Sequence, residues 1–284
     1  MTPFHADGGL DLEAFAASLE ALAVHDFAGF LVLGSNGEAA SLDEDEKLLL
    51  VAAARRAVPG RFLLVGTGLE TTRGTIGLTR KAADLGADAV LVLTPCYYKN
   101  RMTPEALRRH FEAVADASPV PVYLYSVPAF TGLPWPAGLA ATLSAHPRIR
   151  GLKESSGDVG LLAGIAASVP PAFEVACGSA PVFYPALCVG AVGGVLAVAN
   201  CAPRATLSLF RAFTAGDHAT ARRIQDALAP LAAAVTTTHG VAGLKLSMGL
   251  AGLRGGTVRP PLLPAPPSLL DEIRPLLEGA EGAV

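Results

Sequence analysis

The sequence predicts an α/β fold, an eight-stranded (β/α)8 TIM barrel with a C-terminal helical extension, and three observations carry that prediction. Seven short apolar runs recur along the chain: Phe30–Gly34, Phe62–Gly66, Ala89–Leu93, Pro121–Tyr125, Ile149–Lys153, Phe173–Cys177, and Gly193–Ala197 continuing through Val198. Longer stretches of helical periodicity lie between them. Strands that are apolar throughout, rather than alternating, belong to parallel sheets covered on both faces. A length of 284 residues also suits one such barrel.

Two of the helical stretches carry their own signals. Asp43–Val58 opens with Ser41 three residues before Glu44, the spacing of a capping box. Thr103–Ala117 places Leu107, Phe111 and Val114 near helical spacing. The eighth strand would fall before Asp7, where only Met1–His5 remain, so a first strand cut short is expected. After about Ala215 strand signals cease. The expected division is a barrel over residues 1–215 and a helical cap over 216–284, with a Pro-rich connection at Pro260–Pro267.

Composition narrows the partners. The formal charge is -3 and only 17% of residues are charged, with no cluster of Lys and Arg, which argues against nucleic acid or an anionic membrane surface. With 51% hydrophobic residues the chain can bury a sizeable core and is not a disordered one. The uncharged stretch Val175–Asn200 is long enough to span a bilayer, but Pro181, Pro185 and four glycines interrupt it, so two buried strands flanking a helix are expected. The four cysteines, Cys96, Cys177, Cys188 and Cys201, lack metal-site or disulfide-scaffold spacing. With no leader signal in the first residues, a cytoplasmic setting is expected.

Lysine usage points to the chemistry. There are five lysines, and Lys153 alone ends an apolar run, in IRGLKESSGD. In a parallel barrel the C-terminal ends of the strands carry the active site. Partial desolvation there penalises the ammonium form and favours the free amine that a Schiff-base nucleophile needs. An ion pair with the adjacent Glu154 is the competing structural reading. Tyr125 closes another run, and its hydroxyl could shuttle the protons of carbinolamine formation or simply sit bonded in the core. The turn Gly34–Glu38 could present backbone N–H groups to a carboxylate, or be an ordinary strand-to-helix connection. Gly66-Thr67-Gly68 lacks the spacing of a dinucleotide loop, and no P-loop, H-E-x-x-H or G-x-S-x-G occurs. The six histidines show no metal-ligand spacing.

Five motifs in order, GSNGE at 34–38, TPCYY at 94–98, YSVPAFTG at 125–132, GLKESSGD at 151–158 and GSAPVFYPALCVGAVGGVLAVAN at 178–200, resemble the dihydrodipicolinate synthase/N-acetylneuraminate lyase family of pyruvate-dependent class I aldolases. Within it, TPCYY followed by Arg101-Met102, LSAHP at 143–147 and the GDV ending at Val159 look most like the 4-hydroxy-2-oxoglutarate aldolases. The resemblance implies a barrel with a helical cap, assembled as a homo-oligomer (tetramer or dimer). The implied reaction cleaves 4-hydroxy-2-oxoglutarate, or a related 2-keto acid, to pyruvate and an aldehyde such as glyoxylate.

Carried over by motif, Lys153 would form the imine and Tyr125 would transfer protons. Ser35 would relay them with Tyr97 from a neighbouring subunit. Backbone amides of Ser35 and Asn36 would hold the pyruvate carboxylate, and Ser155 and Gly178 would line the rest of the pocket. The imine itself is the electron sink, so no metal or other cofactor is implied. Where dihydrodipicolinate synthases have an arginine after the YNVPS-type turn, this chain has Phe130, which argues against condensation with aspartate semialdehyde. It also offers no hydroxyl partner to a sugar acid. That synthase, a sugar-acid lyase or dehydratase, and a non-catalytic keto-acid-binding paralogue are the alternatives.

Overall fold

Each of the seven apolar runs contains a strand of the computed structural model, which describes residues 1–284. In chain order the elements are α1 (Leu12–Ala23), β1 (Gly29–Val32), α2 (Glu44–Ala57), β2 (Phe62–Gly66), α3 (Thr72–Asp84), β3 (Ala89–Leu93), α4 (Pro104–Ala117), β4 (Val122–Ser126), α5 (Pro128–Thr131), α6 (Leu139–Leu143) and β5 (Ile149–Glu154). They continue with α7 (Val159–Ser168), β6 (Glu174–Cys177), α8 (Phe183–Cys188), β7 (Gly193–Gly194), α9 (Pro203–Thr214), α10 (His218–Ala233), α11 (Gly240–Leu250) and α12 (Leu269–Gly282). No helix is long and apolar enough to cross a membrane.

The chain forms two units. The first comprises residues 1–61, 180–184 and 196–284, and the second comprises 62–179 and 185–195. The second carries β2 to β7, each paired in parallel with the next in chain order. Leu63, Val65, Val90, Val92, Leu124, Leu152 and Val175 are buried on these strands. Leu107, Phe111 and Val114 on α4 are buried with them, as their spacing predicts. Each such side chain contributes about 1.5–3 kcal/mol relative to an exposed position. This ladder fixes which residues stand side by side at the strand ends.

In the first unit, α9 and α10 pack together and Phe183 stacks on Phe210 at 6.4 Å. Gln225 of α10 ties down the 180–184 segment, donating to the carbonyls of Ala180 and Pro181 and accepting from the N–H of Tyr184.

Three local expectations are corrected. Residues before Asp7 form no strand. Phe4 makes only isolated antiparallel bridges to Leu10 and Thr257, because Pro3 lacks an N–H and its carbonyl is taken by Asp11. The last apolar run yields strand only at Gly193–Gly194 and turns into a short 3-10 helix at Ala197–Asn200, where the Asn200 amide donates to the Ala197 carbonyl. The capping box of α2 is formed by Asp43 and Glu46, not Ser41 and Glu44. Leu42 is extended and Ser41 ends a 3-10 turn, so the first residue free to cap is Asp43.

Asp43 accepts from the Glu46 N–H at 2.8 Å, and Glu46 accepts from the Asp43 N–H at 3.1 Å. Asp43→Ala is expected to cost about 1 kcal/mol and lower Tm by about 2 °C in a thermal melt. Ser41→Ala, which leaves the box intact, is expected to change Tm less.

Candidate active site

The register of β4 on β5 sets Tyr125 opposite Lys153. Side chains alternate along a strand, so Tyr123, Tyr125, Gly151, Lys153 and Ala176 share one face and Leu124, Ser126, Leu152, Glu154 and Cys177 the other. Lys153 is 7% exposed and Tyr125 5%. The Lys153 Nζ stands over the Tyr125 ring, 4.3 Å from its centroid. A π-face stabilises the cation without forming a salt bridge that would remove the amine from reaction.

Gly178 follows β6 and closes the group. A Cβ there would lie 1.8 Å from the Ser155 Oγ and 2.8 Å from the Lys153 Cε, so only glycine lets these two side chains keep their places. The Ser155 Oγ is buried and makes no hydrogen bond. A buried hydroxyl without a partner is costly unless something arrives to bond it.

The ion pair with Glu154, the competing reading of Lys153, is not formed, because neighbouring residues on a strand face opposite ways. Glu154 is buried on the opposite face. It accepts from the Ser156 N–H at 2.9 Å and from the Ser126 hydroxyl at 3.5 Å. Backbone bonds continue the clip: Ser155 N–H to the Ser126 carbonyl at 3.0 Å, and Gly178 N–H to the Glu154 carbonyl at 2.7 Å. Burial pushes the Glu154 carboxyl above its ordinary value, with the bonds from Ser156 and Ser126 opposing it. Residue type alone could not reveal this role, since a lysine–glutamate neighbour pair reads as a surface ion pair.

The other expected residues are held by elements of their own. Tyr97 is 76% exposed and packs edge-to-face on Tyr98, with ring centroids 5.1 Å apart. Its loop is held by Glu70, whose carboxylate accepts from the N–H groups of Cys96 at 3.0 Å and Tyr97 at 2.8 Å. Glu70 had no signal in the sequence beyond being an isolated acid. Ser35 and Asn36 belong to the first unit, in a 3-10 turn after β1. Leu33 (φ 58°) and Glu38 (φ 56°), both non-glycine residues with positive φ, flank that turn. Such residues cost on the order of 1 kcal/mol each and persist where the surroundings hold them. Phe130, on α5 directly after β4, is 58% exposed. No three His, Cys, Asp or Glu side chains are placed to hold a metal ion.

Fold and site together define a class I, pyruvate-dependent aldolase, a carbon–carbon lyase on an α/β barrel. The chain belongs to the dihydrodipicolinate synthetase family, whose model matches residues 1–280. It is 38% identical over 264 residues to the 4-hydroxy-tetrahydrodipicolinate synthase of an Exiguobacterium species, covering 93% of this chain and 89% of the relative. The enzyme of that name from Kineococcus radiotolerans is 37% identical, covering 94% and 86%. Among solved structures, a dihydrodipicolinate synthase from Acinetobacter baumannii in complex with pyruvate superposes at TM-score 0.93 with 29% identity, covering 100% of this chain and 97% of that one. None of these carries the name 4-hydroxy-2-oxoglutarate aldolase, so the narrower resemblance gains no support from them.

The Glu154 carboxyl yields a pH prediction. Its folded value lies above its ordinary 4.5, so its contribution to stability is present below that value and lost as pH rises through the folded one. Glu154→Gln removes the titration. Its Tm relative to wild type is expected to rise steadily between acid and neutral pH; identical slopes for the two proteins would contradict the assignment.

Proposed function

We propose that Lys153 forms the imine with the 2-keto acid and that Tyr125 transfers the protons of its formation and hydrolysis. The observation carrying this is the Lys153 Nζ over the Tyr125 ring, both buried at the ends of paired strands. The free amine attacks C2 of the keto acid, and the Tyr125 hydroxyl delivers the proton that lets the carbinolamine oxygen leave as water. In the cleavage direction the C4 hydroxyl passes its proton to the Tyr125 oxygen, which has given one to the departing water, as the C3–C4 electron pair flows into the protonated imine, leaving an enamine and an aldehyde. Protonation at C3 and hydrolysis then release pyruvate and return the amine. The imine is the electron sink, so this sequence needs no metal.

Ser155 supplies a hydroxyl to the bound acid, Gly178 leaves room for it, and the amides of Ser35 and Asn36 hold its carboxylate. Tyr97, exposed beside Tyr98, joins the proton relay from a second copy of the chain in a homo-oligomer.

Two second substrates remain. The relatives' shared name supports condensation of pyruvate with aspartate semialdehyde, and this reading stands first. Phe130 supports the other: an exposed apolar ring stands where the synthases' arginine would meet that substrate's carboxylate, which favours cleavage of 4-hydroxy-2-oxoglutarate to pyruvate and glyoxylate. Parallel assays decide between them. The first reading expects faster turnover of pyruvate with aspartate semialdehyde than release of pyruvate from 4-hydroxy-2-oxoglutarate, and the opposite ratio puts the second in its place. Tyr125→Phe is expected to lower whichever activity is found by about 10²–10⁴-fold. Unchanged turnover in that variant would remove Tyr125 from the mechanism.

A further inference from the structure

The turn Ser35–Gly37 is locked from behind by charges that the proposed reaction does not use. Glu38, which ends the turn, is buried, and so is Lys245 of α11. The Lys245 Nζ lies 2.5 Å from the Glu38 Oε1 and also donates to the Thr257 carbonyl at 2.5 Å. The Arg259 N–H donates to the Glu38 Oε2 at 2.9 Å. The Arg259 guanidinium then spans the rest of the segment, donating to the carbonyls of Ser41 and Gly8 and to both oxygens of Glu46, the capping residue of α2. Both cations lie over the Phe4 ring, Lys245 at 4.5 Å and Arg259 at 4.3 Å from its centroid. The Thr2 hydroxyl donates to the Gly37 carbonyl at 2.6 Å.

This network accounts for the positive φ of Glu38, a non-glycine residue at the end of the turn. Its local preference is against the conformation, so something beyond the turn must impose it. The anchor is a buried carboxylate with a cation beside one oxygen and a backbone N–H on the other, so its charge is not buried alone. Burial pulls the Lys245 amine below its ordinary value while Glu38 opposes it, so removing Glu38 alone strands a buried amine.

We propose that Glu38 and Lys245 are positioning residues: their buried pair, with Arg259, holds the Ser35–Asn36 turn preformed for the keto acid carboxylate. This rests on the proposed role of that turn. The C-terminal segment thereby acts on substrate affinity without touching substrate. Misplacing a binding group by about 1 Å can cost on the order of 100-fold, and a preformed turn avoids ordering costs on binding.

The test uses the full chain and two readouts, Tm and the pyruvate concentration that half-saturates borohydride trapping. Lys245→Met and Glu38→Gln singly are expected to lower Tm and raise half-saturation about 10–100-fold. Glu38→Gly combined with Lys245→Met removes both members of the buried pair and places glycine where φ is positive. It is expected to recover Tm while half-saturation stays raised. A folded double variant with wild-type half-saturation overturns the proposal. Hydrogen exchange on the wild type needs no variant: the amides of Gly37 and Glu38 are expected to be protected without ligand, and exchange at the unfolded-chain rate would also overturn it. If wild type folds and traps no pyruvate at all, the imine assignment fails, while the exchange result still judges the anchor.

Discussion

Parallel pairing of β4 with β5 is the constraint on which the site depends. It stands Tyr125 beside Lys153 at the strand ends, and it does so only in one register, because a slip of either strand by one residue would turn its side chain to the opposite face. Backbone bonds from the Ser155 N–H to Ser126 and from the Gly178 N–H to Glu154 carry that register past the last strand residues, where a sheet would otherwise fray. The glycine at 178 then fixes how closely the Ser155 hydroxyl approaches the lysine. The placement of Lys153 is in this sense a property of three paired strands rather than of one residue.

The two faces of β5 divide the labour between adjacent residues. Lys153 faces Tyr125, while Glu154 is buried on the other face and bonded to Ser126 and Ser156. The same separation recurs at the Gly34–Glu38 segment. Ser35 and Asn36 lie on the turn, and Glu38 at its end is spent on Lys245 and Arg259. In both places a charged residue immediately beyond the proposed contacts anchors backbone.

The parts written in local pattern were legible in the sequence. Predominantly apolar runs marked all seven strands, because parallel strands covered on both faces leave little polar alternation, and Ala89–Leu93 and Phe62–Gly66 match to the residue. Lys153 and Tyr125 stood out as polar residues closing such runs. What depends on long-range contact was hidden. The capping box moved from Ser41 to Asp43 because a preceding 3-10 turn occupies Ser41. The 193–198 run loses its strand after two residues, and the first residues bridge to Thr257, far along the chain. Glu70 and Lys245 carried no motif, since each acts on a loop distant in sequence.

The most direct test is the mass of the protein after incubation with pyruvate and borohydride, wild type beside Lys153→Ala. One pyruvyl adduct on the wild type, mapped to Lys153 and missing from the variant, is the predicted result. A folded wild type that stays unmodified, or an adduct of equal yield on Lys153→Ala, would contradict imine formation at this lysine.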